Sequence, residues 1–365
     1  MLHRTTTSKT LNVLVATPSG ASGQGGIDRI MHALQGEIER TGATDVRATF
    51  APTRGKGHVA LSPFYLAAFM ARMLAMRIAG KVDVIHVNLS SYGSTYRKIQ
   101  VTRLARLLGI PYVLHLHGAT YAEFWPTWDN HLRRSIHAMF ANAAKVMVLG
   151  KVWRDFVISR CPEAEERVVI VPNATAKPTL PHSGGGEFVH LLFLGRIGER
   201  KGVPQLGEAL YRMRDLPGWR ATIAGDGEVE QARARTRDLG LADRVELPGW
   251  CNDNKVAELI SEADVLVLPS FNENLPMSVI EGMAAGLAVV TTPVGAVEDI
   301  IHHGENGLLV PAGDVDALTS ALTRTVTDAN LRNRLGAAAQ LFHRQRLDLG
   351  PYAEAVKDVW QSAAR

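Results

Sequence analysis

Short apolar, β-branched runs alternate with longer stretches of helical spacing along this chain, in two sets of six separated by a segment with almost no apolar content. Such alternation demands parallel sheets, because parallel neighbours can be joined only by a crossover long enough to hold a helix. The first set covers residues 11–17, 46–50, 83–88, 112–117, 145–149 and 168–171, and the second 189–194, 221–224, 244–247, 264–268, 288–291 and 307–310. Between them, residues 174–187 carry Pro178, Pro181 and three consecutive glycines, 184–186, and read as a linker. The expectation is an α/β protein with two doubly wound domains, residues 1–176 and 188–349, joined through 177–187. Ligands then belong in the loops just beyond the carboxyl ends of the strands.

Composition excludes other classes. With 46% hydrophobic residues, 33 glycines and 17 prolines spread along the 365 positions, the chain is neither disordered nor a coiled coil. The apolar run 64–71 is interrupted by Arg72 and Arg77, short of the ~20 residues of a spanning helix. Residues 1–10 lead straight into the first strand run without the apolar segment of an export signal, so the expected location is the cytoplasm. Cys161 and Cys251 stand 90 positions apart in no zinc or dithiol spacing and are expected to be ordinary reduced thiols.

Charge is unevenly divided. Residues 1–180 hold 22 Lys and Arg against 11 Asp and Glu, whereas the rest hold 18 against 25, so a +11 half is joined to a −7 half. The basic half suits an anionic membrane surface or a phosphorylated substrate. No zinc finger, RNA-recognition signature or alternation of aromatic and basic residues accompanies it, which argues against nucleic acid.

Four loops carry chemistry. After the first run, Thr17-Pro18-Ser19-Gly20-Ala21-Ser22-Gly23-Gln24-Gly25-Gly26 leads into a helix from about Ile27. Glycines admit a ligand close to the backbone, and the helix start offers free N–H groups to an anion. A nicotinamide dinucleotide fold begins in the same way, but its fingerprint wants an acid after the second strand, where this chain reads Phe50-Ala51-Pro52-Thr53-Arg54. A permissive turn without a ligand is the other reading. In His115-Leu116-His117-Gly118, strand alternation sends both histidines to one side and puts His117 at the ligand end, as either a ligand contact or a satisfied structural residue.

In the second half, Gly195-Arg196-Ile197-Gly198-Glu199-Arg200-Lys201-Gly202 places three cations in a strand-to-helix loop. Forked guanidinium and compact ammonium groups match a diphosphate, although a solvated loop would look similar, and the Gly-Lys-Ser/Thr ending of a Walker motif is missing. Glu273 falls in the loop after the strand ending at Leu268, and Glu281 about one turn into a helix starting near Pro276 or Met277. Carboxylates accept hydrogen bonds from vicinal hydroxyls of sugars or ribose. Two acids could also serve glycoside hydrolysis, but the neighbouring cations suit phosphates better than a neutral glycoside. Asp314-Val315-Asp316 precedes a helical run and reads as a cap rather than a metal motif.

Together, Gly25-Gly26, His117, Arg196 with Lys201, the glutamates Glu273 and Glu281 eight apart, Thr292-Pro293-Val294-Gly295 and residues 304–310 resemble the retaining glycosyltransferases of family 4, group 1. The resemblance spans nearly the whole chain and is strongest over residues 195–314. It implies the GT-B fold, two Rossmann-like domains facing each other across a cleft. It further implies hexosyl transfer from a UDP- or GDP-sugar to a glycan or lipid-linked acceptor in polysaccharide or glycoconjugate synthesis, without cofactor or metal.

By the same resemblance, Gly195, Arg196 and Lys201 would hold the donor diphosphate, Glu281 the ribose, and Glu273 with the amides of Asn274 and Leu275 the sugar hydroxyls. His117 would line the sugar subsite, Gly25 and Gly26 would admit the phosphate or acceptor, and a helix at about 350–365 would pack back on the first domain. Many relatives have Gly-Phe-Gly where this chain has Asn274-Leu275-Pro276, a pattern common in polysaccharide-cluster members. An epimerase of the same architecture, an idle sugar-nucleotide sensor and a nicotinamide oxidoreductase are the alternatives. Finally, residues 64–78 are apolar almost all round but for Arg72 and Arg77, and are flanked by Arg54, Lys56 and Lys81. They form either a buried core helix or one lying on an anionic bilayer, as in relatives that elongate lipid-linked glycans.

Overall fold

In the computed structural model, which describes residues 10–20, 25–42, 44–126, 130–184 and 186–365, each of the twelve expected runs is a strand. Residues 21–24 of the glycine loop and Gly185 of the linker lie outside the described residues. The chain divides into two compact units, one of Met1–Pro172 with Leu349–Arg365 and one of Asn173–Asp348.

The first unit is built on β1 (Leu11–Thr17), β2 (Val46–Pro52), β3 (Val84–Leu89), β4 (Tyr112–Leu116), β5 (Lys145–Val148) and β6 (Val168–Ile170). All pair in parallel in the order β2-β1-β3-β4-β5-β6. Every residue of β3 and β4 is buried, as a sheet covered by helices on both faces requires. The last helix, Leu349–Ala363, belongs to this unit and buries Tyr352, Val356, Val359, Trp360 and Ala363, one stripe at helical spacing. Trp360 Nε1 donates to His86 Nδ1 of β3 at 2.8 Å.

The second unit repeats the plan with β7 (Val189–Leu194), β8 (Trp219–Ala224), β9 (Val245–Gly249), β10 (Val265–Leu268), β11 (Ala288–Thr291) and β12 (Leu308–Leu309), parallel in the order β12-β11-β10-β7-β8-β9. The direction of winding reverses between β1 and β3 in one sheet and between β7 and β10 in the other. At such a switch point the loops leaving adjacent strands part to opposite faces and leave a crevice.

Of the two readings left open for residues 64–78, the buried core helix is excluded. The helix Ser62–Ile78 buries only Ser62, Phe69 and Met73. Phe64 and Ile78 are 73% and 79% exposed, and with Leu74 and the exposed Ala67 and Ala71 they form an outward apolar stripe. The 20 residues Val59–Ile78 have a hydropathy of 1.5 and are long and apolar enough to cross a membrane by composition, despite Arg72 and Arg77. The helix lies nevertheless in the crossover between β2 and β3, tied by Arg97 to the Ser62 hydroxyl at 3.3 Å and by Arg77 Nε to the Leu108 carbonyl at 3.0 Å.

Candidate active site

In the second unit, β7 and β10 are hydrogen-bonded neighbours, Leu191 opposite Val265, and both end at the same edge of the sheet. The loop after β7 contains the single turn Glu199–Lys201, and the loop after β10 runs to the helix Met277–Ala285. The two loops are bonded to each other: Phe271 N donates to Arg200 O at 2.9 Å and the Arg200 guanidinium to Asn272 O at 2.8 Å. Gly202, at φ 71°, is the point of closest approach, since a Cβ there would stand 2.0 Å from the Pro269 carbonyl oxygen. Only glycine satisfies both the left-handed backbone and the space.

This approach brings Lys201 Nζ onto Glu273 Oε1 as an ion pair whose side chains are only 13% and 10% exposed. A pair this far from water is costly to break from either side, because removing one partner leaves the other charge desolvated. Neither is saturated by the other, since an ammonium has three protons and a carboxylate about four acceptor positions. Both can therefore bind a ligand while holding each other in place.

The backbone around Glu273 is fixed by the segment after β11. A Cβ on Gly295 would lie 2.2 Å from Glu273 O and 2.4 Å from Asn274 O, and Ala296 N donates to Asn274 O at 2.7 Å. Asn173, buried and not singled out by the sequence, donates its amide to Leu275 O at 3.2 Å. Thr292 Oγ1 donates to Ser270 O at 2.5 Å.

The three cations of the β7 loop have separate fates. Lys201 meets Glu273, Arg200 braces the opposite loop, and Arg196 is exposed on the β8 side, 3.7 Å from the Asp226 carboxylate. Gly195 meets the β8 loop backbone to backbone, for a Cβ on Gly225 would fall 1.8 Å from Gly195 O. Glu281 is the fifth residue of the helix Met277–Ala285 and half-buried. Asp314 accepts from Ala317 N at 2.9 Å and caps the helix Val315–Thr327, while Asp316 pairs with Arg212.

In the first unit, His117 follows β4, its N–H bonded to Leu89 O at 2.8 Å. Its Nε2 is 2.9 Å from Asn88 Oδ1, and the Asn88 amide donates to Ala16 O at 3.3 Å. With the amide group so oriented, the oxygen faces the imidazole, Nε2 carries the proton, and Nδ1 is left as an acceptor. Burial, then the neighbouring His86, pushes the His117 pKa down to about 3, so the ring is neutral. A neutral ring with one lone pair suits a hydroxyl donor better than a phosphate oxygen.

His115 lies beside it with ring centroids 3.9 Å apart, on the same side as alternation requires. His115 in turn sits 3.3 Å from His86 Nε2 and is held well below the usual histidine range by burial, then by His117 and His86. Burial also lowers His86 to about 4.

Gly25 caps the helix Gly26–Thr41 in an extended conformation, and a Cβ there would meet nothing within 4 Å, so no packing contact demands glycine. Behind this loop, Asp28 accepts from Ser19 N at 3.0 Å, and burial raises its pKa. The buried Lys98 donates to Thr53 Oγ1, and burial, then Arg97, lowers it to about 7. Thr53 follows β2, where a dinucleotide fold would present its acid, and donates to Thr17 O at 2.9 Å.

Comparison with known proteins matches residues 8–174 to the glycosyl transferase 4-like domain and residues 185–342 to the glycosyl transferases group 1. Phosphatidyl-myo-inositol mannosyltransferase of Mycobacterium leprae is 34% identical over 303 residues, covering 81% of this chain and 78% of that one. The 2-deoxystreptamine N-acetyl-D-glucosaminyltransferase of Streptomyces fradiae is 29% identical over 83% of this chain and 77% of its own. Among solved structures, HepE of Anabaena in complex with UDP-glucose matches 96% of this chain and 100% of its own at 19% identity with a TM-score of 0.76, a likeness of fold.

Two parallel six-stranded sheets of this kind are the GT-B architecture of sugar-transferring enzymes. The chain belongs to the group 1 glycosyltransferases of family 4. Neither the epimerase nor the nicotinamide reading gains support from these matches.

Two outcomes are expected. Lys201→Ala and Glu273→Ala each lower sugar transfer at least ~10-fold in steady-state assays, the scale of a lost charged contact, and the double variant loses less than the product of the two. Near-normal turnover in both single variants removes these roles. The folded state keeps His86, His115 and His117 neutral below the pH at which unfolded histidines, pKa ~6.5, take up protons. The unfolded chain therefore binds more protons in acid, so the stabilisation is complete above pH ~6.5 and declines as the pH falls toward about 4 and then about 3. Thermal melts between pH 7 and 5 should show the loss, and a smaller loss in His86→Gln, which removes one of the three imidazoles, would tie it to this cluster, whereas an unchanged pH dependence in that variant would not.

Proposed function

We propose that the protein is a retaining hexosyltransferase that moves a sugar from a UDP- or GDP-sugar onto a glycan or lipid-linked acceptor in polysaccharide or glycoconjugate synthesis. The observation that carries this reading is the Lys201–Glu273 pair on adjacent loops at the β7/β10 switch point. Lys201, with Arg196, stabilises the negative charge that develops on the departing nucleoside diphosphate, and being already in place it needs no rearrangement to do so. Glu273, with Asn274 and Leu275, holds the sugar hydroxyls, and Glu281 holds the ribose. His117 on the first unit offers Nδ1 to a sugar hydroxyl.

The bond from the anomeric carbon to phosphate breaks as the bond to the acceptor oxygen forms on the same face. The acceptor's proton passes to the leaving phosphate, so configuration is kept. Protein cations supply the charge stabilisation, and no cofactor or metal enters the step. The open space at Gly25 supports a close approach of the acceptor or a phosphate there. The Anabaena relative solved with UDP-glucose and the mycobacterial relative named for mannosyl transfer to phosphatidyl-myo-inositol support a nucleotide-sugar donor and a lipid-borne acceptor.

The same reading makes this a peripheral enzyme of the cytoplasmic membrane face. Its support is the outward stripe Phe64, Ala67, Ala71, Leu74 and Ile78, flanked by Arg72 and Lys81 on a half of the chain with an excess of 11 positive charges. Apolar residues enter the headgroup boundary while cations meet anionic lipid.

Thermal-shift measurements against a panel of sugar nucleotides should give a large rise with one base, abolished in Lys201→Ala; no rise with any member would reject the donor assignment. In co-sedimentation, binding to vesicles should grow with anionic lipid content and drop in Phe64→Ser/Ile78→Ser, whose side chains are exposed in the fold. Binding indifferent to lipid charge would reject the membrane assignment.

A further inference from the structure

A cluster in the first unit includes none of the residues assigned to sugar transfer. His137 lies on the helix His131–Ala141, Cys161 ends the helix Lys151–Arg160, and Glu163 lies in the short turn Pro162–Arg167 that follows. One ligand atom from each, an imidazole nitrogen, the thiol sulfur and a carboxylate oxygen, lies within 4.8 Å of the other two. We propose that His137, Cys161 and Glu163 form a binding site for a zinc-type divalent cation, with solvent as the fourth ligand.

The geometry supports it in three ways. First, His137 Nε2 and Glu163 Oε1 are 3.3 Å apart. Bonds of ~2.0–2.2 Å at tetrahedral angles put two such ligands ~3.3–3.5 Å apart, so this edge is already in place, and the sulfur, ~3.6 Å from its neighbours in such a site, needs to close by ~1.2 Å at most. Second, the segments are fixed before any ion arrives. Arg167 donates to Glu163 O at 2.8 Å and to Ala141 O at 3.0 Å, clamping the turn to the end of the His137 helix. Cys161 is held at both backbone groups, by Val157 O at 2.8 Å and by Ala164 N at 3.0 Å. Third, the cluster pairs a buried sulfur with solvent-accessible partners: Cys161 is fully buried, while the His137 and Glu163 side chains are 39% and 57% exposed. An ion would enter from solvent and keep a water there.

The ligand set selects the metal. One sulfur, one nitrogen and one oxygen at tetrahedral spacing suit zinc or cobalt(II), and disfavour magnesium and calcium, which want six or more oxygens. Binding replaces the thiol proton by the metal: the sulfur–hydrogen bond breaks, a sulfur–metal bond forms, and the proton leaves to solvent. The bound ion would tie the helix His131–Ala141 to the turn that leads into β6.

The test uses the full, metal-free chain. Cobalt(II) titration should give one equivalent with a near-ultraviolet thiolate-to-cobalt charge-transfer band and intense visible bands of four-coordination. Zinc should displace the cobalt and raise the melting temperature. Cys251→Ser should keep the charge-transfer band and Cys161→Ser should lose it. His137→Ala, a change at a partly exposed position that leaves the thiol in place, should weaken zinc at least ~10-fold against a chromophoric chelator, since even outer partners of a ligand contribute ~10–100-fold. Absence of the band, a band that survives Cys161→Ser, or unchanged affinity in His137→Ala each overturns the site. None of these readouts involves sugar transfer.

Discussion

The chemistry of the second unit depends on one topological fact, the reversal of strand order that makes β7 and β10 neighbours. Strands 70 residues apart in sequence thereby end side by side, and their loops must share one edge. Gly202 and Gly295 let the backbones come closer than any side chain would allow, at 2.0 Å from Pro269 O and 2.2 Å from Glu273 O for an added Cβ. Lys201 and Glu273 are buried together as a consequence, and each makes the other's burial tolerable. The result is a cation and a carboxylate held in place before any ligand arrives.

The first unit handles polarity differently. Its sheet buries His86, Asn88 and His115 inside strands that are otherwise apolar, and Trp360 reaches in from the far end of the chain to bond one of them. Buried imidazoles without counter-charges are neutral, which turns them from cations into oriented donors and acceptors. His117 inherits its orientation from Asn88, so its open nitrogen is an acceptor by construction. The basic excess of this half therefore lies elsewhere: Arg54, Lys56, Arg72, Arg77 and Lys81 are all exposed. Arg72 and Arg77 lie on, and the others close in sequence to, a helix whose apolar stripe also faces outward.

Much of this was legible in the sequence. Short apolar, β-branched runs marked all twelve strands, with the boundaries of β1, β7 and β11 matching to the residue, because parallel strands buried on both faces leave a continuous apolar mark. The loops of Arg196, Lys201 and Glu273, and the helix of Glu281 just beyond, could be located because the segments after strand ends were the ones to examine. The two readings of residues 64–78 could not be separated in the sequence, because apolar content does not say which side of a helix is covered.

The sequence by itself determined the local elements, the two-fold repetition of the plan and the residue types at each strand end, since these follow from short-range periodicity and turn chemistry. Only the tertiary structure decided which of those residues meet. The pairing of Lys201 with Glu273, the support of His117 by Asn88 and of Leu275 by Asn173, and the convergence of His137, Cys161 and Glu163 all join segments far apart along the chain or on separate elements. Such meetings are set by strand order and helix packing, and no local pattern of residues encodes either.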